Sequence, residues 1–227
     1  MADMLTPDEA EALLLSLKVS SVAVFAALPF AFAAALGLAR TRFPGKIVAD
    51  GLVHLPLVLP PVAIGFLLLT LLGTRAGPGG WLFHHFGIRF AFSWTGAALA
   101  SALITFPFQV RAIRLALESA DPGLAAAAET LGAGWWDRLV NLTMPLAFPG
   151  IVAGLITAFA ASLGEFGAII TFVSNIPGET RTLPLAIYSA LQAPGGEAEA
   201  ARLSLISILL ALVFMTLAEL AQRRMQR

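Results

Sequence analysis

Residues 126–145 read AAAETLGAGWWDRLVNLTMP, a polar, helix-forming stretch set between strongly apolar segments. Ala126, Ala127, Ala128 and Glu129 favour a helix. Gly132 and Gly134 supply the backbone freedom to end it. Gly132 is followed by nine residues, then Leu142, one further residue, Met144 and Pro145. Upstream, Asp121 is placed to cap the helix, and Pro122 falls at its first position, where a missing N–H costs nothing. The stretch therefore predicts a short helix, a glycine-broken turn, and a second helix leading to a proline at a membrane edge. Gly and Pro punctuate loops everywhere, so spacing alone is equally met by a generic amphipathic loop between two membrane helices.

The flanking chain shows why a membrane is the setting. Hydrophobic residues make up 58% and charged residues 12%, against roughly 45–50% and about 25% in soluble domains. A span needs about 20 apolar residues, and Val19–Ala39, Gly51–Thr74, Phe90–Val110 and Leu139–Gly164 each reach that length without a run of charge. Leu203–Ala218 is shorter, but Arg202 and Glu219 flank it with stems that reach an interface. Leu183–Gly196 carries Pro184, Pro194 and two glycines, and reads as a short re-entrant or interfacial segment. The expected fold is an all-α polytopic membrane protein of five transmembrane helices, near 13–39, 48–74, 90–112, 146–172 and 203–220. They form one domain over 13–220, with the loop 118–147 inside it. The remaining loops are too small to fold alone.

Basic residues orient the spans. Arg40, Arg42, Lys46, Arg111, Arg114, Arg138, Arg223, Arg224 and Arg227 fall on one side, and only Lys18, Arg75, Arg89, Arg181 and Arg202 on the other. This places the C-terminus and the 126–145 stretch in the cytoplasm. The N-terminus carries Asp3, Asp8, Glu9 and Glu11 and belongs outside. It lacks the basic n-region of a cleaved signal peptide, so the first span is expected to be retained. Formal net charge is zero, and membrane lipid rather than nucleic acid is the expected surrounding. The absence of cysteine fits external exposure without requiring it.

Several chemistries lack their residues. Gly45-Lys46 is followed by Ile47 and has no upstream glycine in P-loop spacing, so ATP binding of that type is not expected. No HExxH occurs. His84 and His85 are adjacent near an external interface and read as solvated or headgroup-facing rather than metal-binding. No buried histidine or second aspartate is placed to activate a serine at membrane depth. Neither a catalytic residue nor a metal site is expected.

Three regions could carry transport. His54-Leu-Pro-Leu-Val-Leu-Pro-Pro61 sets three prolines in the second span, which must kink or partly unwind because each removes a helical hydrogen bond. A packing kink and a moving gate both fit. Ser162-Leu-Gly-Glu165-Phe-Gly167 puts a carboxylate near the outer end of the fourth span, where facing lipid is expensive. A structural ion pair and a pathway role are the alternatives for Glu165, and the flanking glycines permit close helix approach or a bend. Ser174–Thr182, SNIPGETRT, is a polar external loop. There Asn175, Thr180, Arg181 and Thr182 offer the amide, hydroxyl and guanidinium donors that solvate a small oxyanion. An ordinary solvated loop fits as well.

Longer strings narrow the reading. SLKVSS at 16–21, HLPLVLPP at 54–61, TLGAG at 130–134, SLGEFG at 162–167 and FVSNIPGETRT at 172–182 together resemble the molybdate permease family of ABC importers, with sulfate permeases as near relatives. The resemblance runs from about Leu13 to Leu220. The spacing from Gly132 to Pro145 resembles that superfamily's coupling loop: Glu-Ala-Ala, three residues, Gly, nine residues, Ile, one residue, Leu-Pro. One position departs. The glutamate that opens the family pattern is Ala126 here, and Glu129, one turn on, is the candidate substitute.

The resemblance implies a type I ABC importer permease fold. It also implies a pathway made by two copies of the chain, a separate ATPase dimer that uses ATP and Mg, and an extracytoplasmic molybdate-binding protein. The chain itself would bind no cofactor and would sit in a bacterial cytoplasmic (inner) membrane. Ala126, Ala127, Ala128, Glu129, Gly132, Leu142, Met144 and Pro145 would couple it to the ATPase, and Ser162, Glu165, Asn175, Thr180, Arg181 and Thr182 would line the path. Molybdate or tungstate is the implied substrate. A sulfate or thiosulfate permease is the alternative within transport, and a membrane scaffold or a secondary carrier lies outside it. No inverted repeat supports the carrier.

Reporter fusions after Met1, Gly79, Gly134, Gly195 and Arg227 are expected to read out, out, in, out, in. A cytoplasmic signal at Gly195 would require a sixth span and overturn the five-span topology.

Overall fold

Thr6 opens the first helix through a reciprocal cap. Its hydroxyl accepts from the Glu9 N–H at 3.3 Å, and the Glu9 carboxylate accepts from the Thr6 N–H at 2.7 Å. The computed structural model describes residues 6–41, 43–75 and 77–225. Asp3, Arg42 and Arg227 of the charge argument lie outside the described residues. Helix α1 (Pro7–Arg40) has 34 residues, about 51 Å at 1.5 Å per residue, and so outruns a bilayer core of about 30 Å. Its buried face repeats small side chains one turn apart: Ser16, Ser20, Ala23, Ala27, Ala31 and Ala35.

The same device recurs on α8 (Met144–Leu163), where Ala147, Gly150, Gly154, Ala158 and Ser162 are buried. Both helices pack on α5 (Trp94–Ser119). A Cβ on Gly150 would stand 2.5 Å from the Ala112 carbonyl oxygen, and one on Gly154 would stand 3.0 Å from the Gln109 Cα. Lipid tails are as apolar as leucine, so close backbone approach rather than hydrophobic exclusion holds such helices together. Gln109 ties α5 to α1 by donating from Nε2 to the Val24 carbonyl at 3.1 Å.

Proline writes the irregularities. Pro56, Pro60 and Pro61 divide the second span into α2 (Lys46–His54), a 3₁₀ turn at Leu55–Leu57, and α3 (Pro61–Leu72), and the two halves are bent by 105°. The expected kink is therefore a full break. A short helix α4 (Gly77–Phe86) follows outside it. In the polar loop, α6 (Pro122–Thr130) and α7 (Trp135–Arg138) precede a π turn, Leu139–Thr143, that runs into α8. Pro145 cannot donate to the Asn141 carbonyl and would crowd it, and the widened turn relieves both problems.

At the far end the chain breaks over Gly164–Phe166 before α9 (Gly167–Val173), then forms α10 (Leu183–Gln192) and α11 (Glu197–Met225). The segment near 183–196 is thus a short helix. Among the described residues four helical stretches are long and apolar enough to cross a membrane, and the bent pair makes five if it is counted as one span.

Side-chain pairs sort the ends. Glu9 receives the Arg202 guanidinium (Nε at 2.9 Å), joining the starts of α1 and α11. Arg89 bridges Glu179 at 2.7 Å, and the Lys18 ammonium lies 3.7 Å from the centre of the Trp94 ring. At the opposite end Arg114 bridges Asp50 (2.8 Å) and Glu118 (2.7 Å), fastening α2 to α5. No residue of α2 is buried. On α3, by contrast, a Cβ at Gly65 would stand 2.6 Å from the Ala168 carbonyl oxygen, so α3 and α9 meet backbone to backbone.

Gly150→Val should lower the melting temperature of the purified permease, since overpacking a tight contact typically costs about 1–3 kcal/mol. Gly51→Ala, where a Cβ meets nothing within 4 Å, should leave it unchanged. Equal melting of both variants with wild type would remove the glycine contact as the source of the α5–α8 fit.

Candidate functional site

The 126–145 stretch folds as a capped helix, a left-handed turn and a second helix. Asp121 accepts from the Gly123 N–H at 2.8 Å and starts α6. Gly132 has φ +84°, a conformation that costs other residues because their Cβ crowds the following carbonyl. Its N–H donates to the Glu129 carbonyl, and the Ala133 N–H donates to the Ala128 carbonyl, each at 3.0 Å. Those two bonds make a Schellman cap. Nothing lies within 4 Å of the place a Gly132 Cβ would take, so the demand for glycine there is conformational and not steric.

The turn presents an exposed ridge. Leu131 is 87%, Trp135 58% and Trp136 70% accessible, three large apolar side chains left exposed around the turn. Ala126, Ala127, Glu129, Gly132, Met144 and Pro145 are exposed, while Ala128 and Leu142 are half-buried. Glu129 pairs with Arg138 across the turn at 2.9 Å and keeps most of its surface open. Arg138 entered the sequence reading only as a basic residue, because its partnership depends on the turn that Gly132 makes.

At the other end, Glu165 is buried and its carboxylate accepts from the Ala168 N–H at 2.8 Å. It thereby satisfies a donor at the start of α9. Among the described residues Glu165 has no salt-bridge partner. Gly167 sits close enough to Pro61 that a Cβ would stand 2.9 Å from the ring, so the break after α8 fits against the break in the second span.

The 174–182 loop is wound on itself rather than splayed. The Ile176 carbonyl accepts from the N–H groups of Glu179, Thr180 and Arg181. Thr180 is fully buried, its hydroxyl accepting from Ile176 N–H (2.9 Å) and donating to the Ser174 carbonyl (3.0 Å). Ser174 holds φ +64°, a strained value for a side-chain-bearing residue.

Asn175 gathers the rest. Its Oδ1 accepts from Arg181 Nε at 3.0 Å, and its Nδ2 donates to Ser189 of α10 at 2.6 Å. Arg181 shares its hollow with Asp8 and Glu11. Thr182 and Ser162 are buried, and neither hydroxyl makes a hydrogen bond among the described residues. The loop is anchored to α1 by Ser16, whose hydroxyl accepts from the Leu183 N–H at 2.7 Å. The structure thus joins Asn175, Thr180 and Arg181 in one cluster and leaves Ser162 and Glu165 on the neighbouring α8–α9 break. Ser189 and Ser16 were missed because their roles arise only where α10 and α1 meet the loop.

Comparison with known proteins gives this geometry a setting. The family model for a binding-protein-dependent transport system inner membrane component matches residues 27–227. The molybdenum transport system permease protein ModB of Escherichia coli (strain K12) is 57% identical over 216 residues, which are 95% of this chain and 94% of that one. The Haemophilus influenzae protein of the same name is 52% identical over 219 residues, 96% of each. The sulfate transport system permease protein CysT of Escherichia coli is 39% identical over 155 residues, 68% of this chain and 56% of that one.

Among solved structures, a bacterial ABC transporter involved in the import of the acidic polysaccharide alginate aligns with a TM-score of 0.76 at 20% identity. The alignment covers 98% of this chain and 82% of that one. An amino acid ABC transporter aligns at 0.65 and 23%, covering 96% and 94%. At such identities these two likenesses show the fold, which is that of ABC importer permeases. The chain belongs to the family of binding-protein-dependent transport system inner membrane components, multi-pass permease subunits of the inner membrane that include the molybdenum and sulfate permeases it resembles in sequence.

Proposed function

We propose that the chain is the permease subunit of an ATP-driven importer that moves molybdate or tungstate across the cytoplasmic membrane by alternating access. The observation that carries this reading is 57% identity to a molybdenum permease over nearly the whole length of both chains. The sulfate permease match is weaker and shorter, which ranks sulfate or thiosulfate second. Two copies of the chain form the pathway, with the N-terminus outside and the C-terminus in the cytoplasm, as the basic residues ask. A separate ATPase dimer supplies hydrolysis, and an external binding protein delivers the anion. Uptake of labelled molybdate into vesicles holding all three components tests the whole. Uptake of sulfate with indifference to molybdate would sink the first choice and establish the second.

The coupling role falls to α6 and the turn after it. The exposed Leu131, Trp135 and Trp136 offer an apolar contact, and the Gly132 cap sets its angle to the spans. Inward and outward states would then differ by movement of the bundle that α8 extends from this loop. Ser162, Glu165, Asn175, Thr180, Arg181 and Thr182 are proposed to shape the outer part of the path. Asn175 and Arg181 are the half-exposed pair among them. Thr180 acts through loop shape, since both sides of its hydroxyl are already bonded.

Gly132→Val should insert and dimerise normally yet capture the ATPase poorly in pull-down, because a left-handed backbone costs such a residue roughly 1–2 kcal/mol. Full docking with full transport would remove the coupling assignment. Glu129→Ala is expected to weaken docking, whereas Arg138→Gln, which frees Glu129 from its partner, should leave it. An equal loss in both would trace the effect to the shape of the turn instead of the acid.

At the other end, Glu165→Gln keeps an acceptor for the Ala168 N–H, so folding should hold while transport falls if the charge matters. Glu165→Ala should also cost about 1 kcal/mol of stability through the lost cap. Wild-type transport by Glu165→Gln would confine Glu165 to capping.

A further inference from the structure

Beside the coupling turn lies a groove of about 670 Å³ between the last turns of α1 and the entry to α8. Its two ends differ in chemistry. Phe32, Leu36, Leu139 and Leu142 make an apolar wall, while Arg40, Thr41, Trp135 and Arg138 stand at the mouth. From Phe32 to Arg40 the α1 backbone rises about 12 Å at 1.5 Å per residue, the scale of a substantial part of one acyl chain.

The charges at the mouth are unequal in availability. Arg138 is already paired with Glu129 at 2.9 Å. Arg40 is exposed and has no acidic partner among the described residues. Lys46 adds a second cation by donating from Nζ to the Thr41 carbonyl at 3.3 Å. Arg40 thus stands on an apolar trough at the end of a membrane helix, with Lys46 held next to the groove through Thr41, beside an exposed tryptophan of the kind that settles at headgroup depth.

We propose that this groove is a binding site for an anionic phospholipid, with one acyl chain along Phe32, Leu36, Leu139 and Leu142 and the phosphate at Arg40 and Lys46. A soluble oxyanion needs the cations but gains nothing from the apolar wall. A zwitterionic lipid fills the wall but brings its own ammonium to the cations. An anionic lipid satisfies both ends. Because Ala125, Trp135 and Arg138 of the coupling stretch form the opposite bank, the lipid braces that stretch against α1. The proposal rests on the topology given above only in assigning the groove to the inner leaflet.

Gly37 supplies a clean test, since it lines the groove and a Cβ there meets nothing within 4 Å. Gly37→Leu therefore fills the trough without forcing the helix apart, and Arg40→Gln removes a cation without touching the wall. The full-length permease, wild type and variants, would be extracted from nanodiscs of phosphatidylethanolamine and phosphatidylglycerol, and retained lipids counted by native mass spectrometry. Melting temperatures confirm that each variant is folded.

Wild type should retain phosphatidylglycerol in preference to phosphatidylethanolamine. Each variant should retain about tenfold less, the scale expected for one charge-assisted contact. Arg181→Gln at the other end should retain as much as wild type. Equal retention by wild type, Arg40→Gln and Gly37→Leu would overturn the proposal. So would indifference between the two lipids, or displacement by millimolar inorganic phosphate, which would mark a headgroup-only anion site. Loss of the lipid whenever the ATPase is bound would overturn it too, by giving the groove to that protein.

Discussion

Close approach of α5 and α8 is the contact on which the rest depends. Gly150 and Gly154 bring one backbone within side-chain distance of the other, and Ala147, Ala158 and Ser162 continue the seam above and below. In lipid this fit supplies what water supplies in a soluble core. It fixes the helix that carries the 126–145 loop at one end and the Glu165 break at the other. A shift of α8 along α5 would move both together, so the loop and the Glu165 break are mechanically linked. The α1 stripe of serine and alanine adds the third wall, with Gln109 bonded to Val24 as a polar key between α5 and α1.

Much of this was legible in residue order because local chemistry dictated it. Asp121 caps, Gly132 turns left-handed, and Pro56, Pro60 and Pro61 break the second span. Each outcome follows from a backbone property of the residue itself: an accepting side chain, a missing Cβ, a missing N–H. Hydropathy likewise gave the membrane class and the five-span reading, and the short helix α10 lies where proline and glycine argued against a full crossing.

What stayed illegible depends on partners distant in the chain. Glu165 admitted two readings, ion pair or pathway, and in the fold it caps α9. That cap exists only because the chain breaks at Gly164–Phe166 instead of running straight through. Asn175 looked like a free amide, yet it is shared between Arg181 and Ser189, because α10 turns back over the loop. Glu129 was weighed for an external contact, and the turn also brings Arg138 to it. In each case the neighbour could not be read from residue order, since it is set by tertiary geometry. The π turn before Pro145 is intermediate: a disturbance is implied by the proline, but its form depends on how α7 joins α8.

The broken second span has an asymmetry of stiffness. Its α3 half meets α9 through backbone at Gly65, a fit that yields only if both helices deform. Its other half, α2, fully buries no residue: Ala49 and Val53 pack against the core at its edge, and Asp50 pairs with the Arg114 guanidinium of α5. Charge contacts of this kind reach over a range of separations and exchange readily for water, whereas interlocked backbone does not. The span is therefore compliant at one end and rigid at the other. Strain entering at α2 meets a looser contact than strain entering around Gly65 and Ala168.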